Sequence, residues 1–133
     1  MAKGRIYMFD PVIYPTRIWA SVNPTAKDIQ KKFNFLDDEG EIVNRVDLNE
    51  HCNSIATTFS VYEKKSGWKG CFVCIWQPKQ MGVGVIAHEA GHCTDWLCDE
   101  LGLGGFSFKD GEARAYYIRW VANCIDKVKK DKV

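Results

Sequence analysis

Long apolar runs are missing from this chain. Its apolar stretches are broken by charge well short of the roughly 20 residues that a membrane-spanning helix needs, so no such segment is expected. Charge of one sign is missing too: 18 Lys and Arg stand against 17 Asp and Glu, for a net charge of +1. That balance gives no global attraction to nucleic acid or to an anionic membrane, and no basic stripe or nucleic-acid motif appears. There is no internal repeat, low-complexity tract or linker. The opening stretch MAKGRIYMFDP has an apolar run that stops at Asp10 and Pro11, too short for the core of a secretory signal. The expectation is an intracellular protein forming a single domain over residues 1–133, with neither nucleic acid nor membrane as a partner.

What is present is core-forming material. A hydrophobic content of 46% with 13% aromatics indicates an ordered globular chain that can bury a core without a stapling disulfide or metal. The cysteines, Cys52, Cys71, Cys74, Cys93, Cys98 and Cys124, are therefore expected as free, mostly buried thiols. Cys71 and Cys74 have the spacing of half a zinc ribbon. However, GCFVCIW reads as a strand, on which positions three apart face opposite ways, and no second pair exists to close a four-ligand site.

The pattern predicts an α/β (α+β) fold. RIYMF and TRIWASV read as strands, followed by a short helix opened by Asn23 or Thr25 and running to about Phe33. DDEGE is a turn and EIVNRVDL a short strand. SIATTFSVYEKKSGWKGCFVCIW reads as a hairpin turning at residues 64–67. A helix is expected from about Val83 to Leu101, stopped by Gly102. A last helix is expected from Asp110, as its N-cap, to near Lys130. Its buried stripe is expected to comprise Ala113, Tyr117, Trp120, Val121, Cys124 and Val128. The lysines at its end suit the helix dipole as a solvated terminus. A small, twisted, mostly antiparallel sheet should pack on the two C-terminal helices.

The first of those helices carries GVGVIAHEAGHCTDWLCDELG, in which His88, Glu89 and His92 form H-E-x-x-H. Chance would place this motif in such a chain only ~0.003 times. Residues four apart share one helix face, so two imidazoles can grip one ion from the same side. Glu89, one residue round, is placed to take a proton from a water held in the ion's open position. A zinc site needs a third protein ligand. Asp95 and Asp99 continue the same face, but Asp95 lies ~10 Å along the axis from His88, too far for its short side chain. Glu112, at the head of the last helix, is the candidate from another element. Asp95 and Asp99 then become possible hydrogen-bond partners of a ligand histidine.

These residues resemble the gluzincin metallopeptidases, the thermolysin-like class, over roughly residues 83–117. More loosely, the compact chain with its GEARAYYIRW segment looks like small metallopeptidase-like proteins encoded in bacterial prophages. The resemblance implies a minimal zincin-like domain and one zinc per chain on His88, His92 and Glu112, with Glu89 as the general base. It further implies a donor to the oxyanion, for which Tyr116, one turn beyond Glu112, is the candidate. The usual Asn before the distal Glu is Gly111 here, and the chain has no room for a second wall domain. His51, the remaining histidine, has no motif context. The implied activity is hydrolysis of a peptide or protein substrate lying along an exposed sheet edge, for which CFVCIW is the candidate strand. The alternative is a non-catalytic zinc-binding phage structural, assembly or regulatory protein.

Overall fold

The computed structural model describes residues 4–43, 47–48, 51–104 and 107–133. The elements are β1 (Tyr7–Phe9), β2 (Arg17–Val22), α1 (Ala26–Lys32), β3 (Phe33–Leu36), β4 (Ile42–Val43), β5 (Ala56–Glu63), β6 (Lys69–Ile75), α2 (Val83–Leu101) and α3 (Glu112–Lys129). They build an α+β fold: a six-stranded mixed sheet in the order β1-β2-β6-β5-β3-β4, with three helices. Four neighbouring pairs are antiparallel and one, β2–β6, is parallel. Among the described residues, no helix is long and apolar enough to cross a membrane.

The hairpin β5–β6 follows directly from its sequence. Gly67 takes φ +79, a left-handed value that suits glycine, while its N–H donates to Glu63 O at 2.9 Å and Ser66 Oγ to Glu63 Oε1 at 2.6 Å. The register then runs from Tyr62↔Lys69 to Ala56↔Ile75. Alternation along β6 divides its side chains between two cores. Cys71, Val73 and Ile75 join Ile18, Ala20, Ile86, Ala90, Cys93 and Leu97 beneath α2 and α3. Phe72 and Cys74 join Trp19, Ile29, Phe33, Phe35 and Val61 on the other face, under α1. The two cysteines of the C-x-x-C thus sit on opposite faces, and no cysteine is in a disulfide; Cys52 is exposed and the other five are buried.

CFVCIW does not form an edge, contrary to expectation. Strand β6 is held on one side by β2 and on the other by β5, and Gly70–Ile75 is buried throughout. A near-continuous apolar run is what a strand covered on both faces requires. The sheet's edges are β1 and β4.

The helices keep most of their expected bounds. Thr25 Oγ1 caps α1 by accepting from Asp28 N at 3.1 Å. Helix α2 ends where Gly102 adopts φ +63. α1 ends at Lys32 with Phe33 as its C-cap, as expected, but FNFL then continues as β3, a strand the sequence pattern did not signal. The reason is tertiary. Phe33 packs 5.0 Å from Trp19 and 4.8 Å from Phe72, centroid to centroid. Burying such a ring is worth about 1.5–3 kcal/mol, against differences of at most about 0.7 kcal/mol in helix propensity. The N-cap of α3 is Gly111 rather than Asp110, whose backbone and carboxylate are both engaged with Ser107. Its buried stripe is Tyr117, Val121, Cys124, Ile125 and Val128; Ala113 is exposed and Trp120 half-buried. Of EIVNRVDL, Ile42–Val43 is strand and residues 44–46 lie outside the described residues.

Gly70 shows how tightly β2 and β6 meet. A Cβ there would lie 1.8 Å from Arg17 O, a backbone atom that cannot move aside. Gly70→Ala should cost roughly 3 kcal/mol or more in denaturant unfolding. Gly84→Ala, where a Cβ meets nothing within 4 Å, should stabilise α2 by about 0.5–1 kcal/mol.

Candidate metal centre

Helix α2 places the motif by how it packs. Ile86, Ala90, Cys93 and Leu97 bury its inner face, and Trp96 Nε1 donates to Ser60 Oγ on β5 at 2.8 Å, fixing its rotation. Each residue turns the helix by about 100°. With the inner face set, His88 and His92 emerge on an exposed flank while Glu89, next to them, turns inward and is only 4% exposed.

The two imidazoles lie edge to face, centroids 4.7 Å apart at 84°, with their Nε2 atoms separated by 3.1 Å. Two ligand nitrogens about 2.05 Å from a tetrahedral zinc would be separated by about 3.3 Å. The pair therefore has nearly the spacing that one ion demands; the same distance suits an N–H···N bond between neutral rings. Ligating atoms of His88, Glu89 and His92 all fall within 4.8 Å of one another, and this is the one group of three or more such residues so placed among the described residues.

Glu89 and His92 line a cleft of about 360 Å³ between α2 and β5, together with Thr58, Ser60, Trp96 and His51. Glu89 Oε2 is buried without a hydrogen-bond partner. Burial pushes its carboxyl pKa up, and the positive charge available on His92 and His88 opposes this. The Thr58 hydroxyl also lowers it, although Thr58 Oγ1 approaches no acceptor or donor closely enough for a full hydrogen bond. A buried, unpartnered carboxylate is costly unless something in the cleft answers it. A cation or a water in the cleft would do so, and two imidazoles at this spacing are donors that suit a zinc-like ion.

The other expected site residues lie elsewhere. Glu112 is the exposed first residue of α3 and does not join the His–Glu–His group. Arg114, two positions on, turns toward α2 and bonds Asp95 Oδ1 at 2.9 Å. A residue two positions away points in nearly the opposite direction, so Glu112 faces away from α2. Tyr116, one turn beyond Glu112 on the same face, is 57% exposed and lies under the Arg119 guanidinium. It lines a separate apolar cavity with Ile13, Tyr14 and Trp120. Asp95 is held by Arg114, and Asp99 borders a groove further along β5; neither supports a histidine of the motif.

His51, which belongs to no motif, also lines the cleft. Its N–H donates to Leu48 O at 3.1 Å, and its ring stands edge-on to Phe59 at 5.1 Å, so the segment before β5 presents it to the cleft. No local pattern marks it; only its being the third histidine of three draws notice. The cysteines offer no rival site. A hydrogen-bonding contact with Cys71, together with burial, pushes the Cys93 thiol well up, and burial does the same for Cys74, so both remain protonated and poor ligands. Compared with protein-family models, with curated proteins and with solved structures, the chain matches none of them.

The raised Glu89 pKa has a consequence for the metal-free protein. The folded chain holds this proton to higher pH than the unfolded chain does. Stability should therefore fall as pH rises from the unfolded carboxyl value of about 4.3 through the folded one, and then level off. In chelator, Glu89→Gln should be more stable than wild type at pH 7 and should flatten this part of the profile. Urea midpoints between pH 4 and 8 measure it; identical profiles for the two proteins would contradict the burial described.

Proposed function

We propose that this protein is a zinc-dependent peptidase, with hydrolysis centred on His88, Glu89 and His92. One observation carries the reading: two exposed imidazoles at ligand spacing beside a buried carboxylate with one oxygen unpartnered, His92 and Glu89 both lining one cleft. His88 and His92 would hold the ion, which when bound supplies a water acidified toward a pKa of ~7 and a positive centre for the carbonyl oxygen. Neither His51 nor Glu112 joins the His–Glu–His group; His51 is favoured as the third ligand because it lines the cleft with His92, whereas Glu112 faces away from α2.

Glu89 is the base. Its elevated pKa brings it nearer the operating pH, where proton acceptance from water and return to a leaving amine are both accessible. Its position inside the cleft wall restricts its rotamers, so little ordering remains to be done when substrate arrives. Thr58 and Ser60, from the strand facing the helix, supply hydroxyls along the cleft for a peptide's polar groups. The non-catalytic alternative keeps the metal but gives Glu89 no task, and a buried unpartnered carboxylate without a task is an expensive feature to retain.

Substitution separates these roles. Glu89→Gln should keep about one zinc per chain, by elemental analysis, and lose on the order of 10²–10⁴ in the rate of peptide hydrolysis. His92→Ala should lose both. His51→Ala should weaken zinc binding by at least roughly tenfold, while Glu112→Gln and Tyr116→Phe leave it intact. If Glu112→Gln loses zinc and His51→Ala keeps it, the third-ligand assignment passes to Glu112. A zinc-loaded wild type that cleaves nothing in a broad peptide library leaves only the metal-binding reading.

A further inference from the structure

The bond from Trp96 Nε1 to Ser60 Oγ, 2.8 Å long, pins one point of α2 to one point of β5. Distances along both elements can be counted from it. Glu89 lies two helical turns before Trp96, about 10.5 Å back along α2. Thr58 lies two residues before Ser60 on the same face of the sheet, about 6.7 Å back along β5, and Ala56 lies about 13 Å back. Glu89 therefore meets β5 between Thr58 and Ala56, and all three line the cleft. Thr57 turns to the opposite face, where its Oγ1 accepts from Trp76 Nε1 at 3.2 Å. Thr58 is thus the polar side chain that β5 sets against Glu89.

Each of the two residues holds one atom that is buried without a partner, Thr58 Oγ1 and Glu89 Oε2. They are complementary, since a hydroxyl can donate and an ionised carboxylate can only accept. The Thr58 hydroxyl swings on a single torsion, so the strand itself need not move to bring them together. Behind Thr58, the buried Cys93 thiol in contact with Cys71 is too weak an acceptor to compete for the Thr58 proton. Burial raises the Glu89 pKa, and after the two histidines it is the Thr58 hydroxyl that opposes the rise. Glu89 Oε1 differs from Oε2. It is not sealed off in this way and no protein group bonds it, so it is the oxygen left open to the cleft.

We infer that Thr58 is a positioning residue: its hydroxyl donates to Glu89 Oε2, holds that oxygen against β5, and so aims Oε1 at the water the base deprotonates. A carboxylate tied by one oxygen has fewer orientations to lose when the proton is transferred, and a hydrogen bond to a charged group is strong enough to set that orientation. The role in hydrolysis rests on the peptidase reading, but the contact between Thr58 and Glu89 does not.

Two measurements on the zinc-loaded full chain keep those apart. Thr58→Val keeps the side chain's shape and removes the hydroxyl, while Thr58→Ser keeps the hydroxyl. On the peptide cleaved fastest from a broad library, Thr58→Val should lower kcat by roughly tenfold or more and leave KM within about twofold of wild type. Thr58→Ser should restore most of the rate, and in the Glu89→Gln background Thr58→Val should cost nothing further. The second measurement needs no turnover: urea midpoints of wild type, Thr58→Val, Glu89→Met and the double variant. Thr58→Val should lower the midpoint when Glu89 is present and should not lower it in the Glu89→Met background. That coupling without cleavage of any peptide supports the contact and sinks the peptidase reading. A wild-type kcat in Thr58→Val, no rescue by Thr58→Ser, or the same midpoint shift in both backgrounds overturns the inference and leaves Thr58 a packing residue.

Discussion

Everything at the site depends on how α2 lies on β5 and β6. Its inner face is apolar at Ile86, Ala90, Cys93 and Leu97, and the Trp96–Ser60 bond ties its outer side to β5. Those contacts set the helix's rotation to within a fraction of a turn. A rotation by one residue position would carry Glu89 out to solvent and drive a histidine into the core. The motif's chemistry is thus held in place by hydrophobic packing. The burial that fixes the helix is also what strips water from Glu89 and raises its pKa.

That arrangement sets stability against function. A carboxylate in the wall of a cleft, with one oxygen unpartnered, works against the fold in the absence of a ligand. The core bears this because the rest of it is nearly free of charge: the other buried polar residues are Thr16, Ser21 and Thr94, and Thr94 returns its hydroxyl to Ala90 O at 2.8 Å. A bound ion and its water would relieve the strain on Glu89 and add folding free energy, so metal and fold are expected to be linked.

The helices also decide where the groove runs. α3 covers β2, and α2 covers β6 and part of β5. Two clefts border α2 and share Asp38, Ser60 and Trp96, and they differ in character because their walls come from different segments. Histidines and hydroxyls face one, and the Asp37–Gly40 turn with the end of α2 faces the other.

Much of this was legible in the sequence, wherever the signal is local. Val83–Leu101 could be delimited because Gly102 supplies the left-handed stop and the apolar spacing is helical. The β5–β6 hairpin was legible from its turn, and the split of Cys71 and Cys74 from strand periodicity. H-E-x-x-H required only that residues four apart share a face. What depends on distant neighbours was not legible. FNFL is a strand because Trp19 and Phe72 stand ready to pack Phe33. CFVCIW is interior because β2, some fifty residues earlier, pairs with it in parallel. Glu112 and Tyr116 had the right helical spacing, yet Arg114 and the packing of α3 turn their face away from the cleft. His51 enters it from a segment with no pattern of its own. Local periodicity determined which residues could act together on α2; the relative placement of helix, strand and loop, which no spacing encodes, decided what stands opposite them.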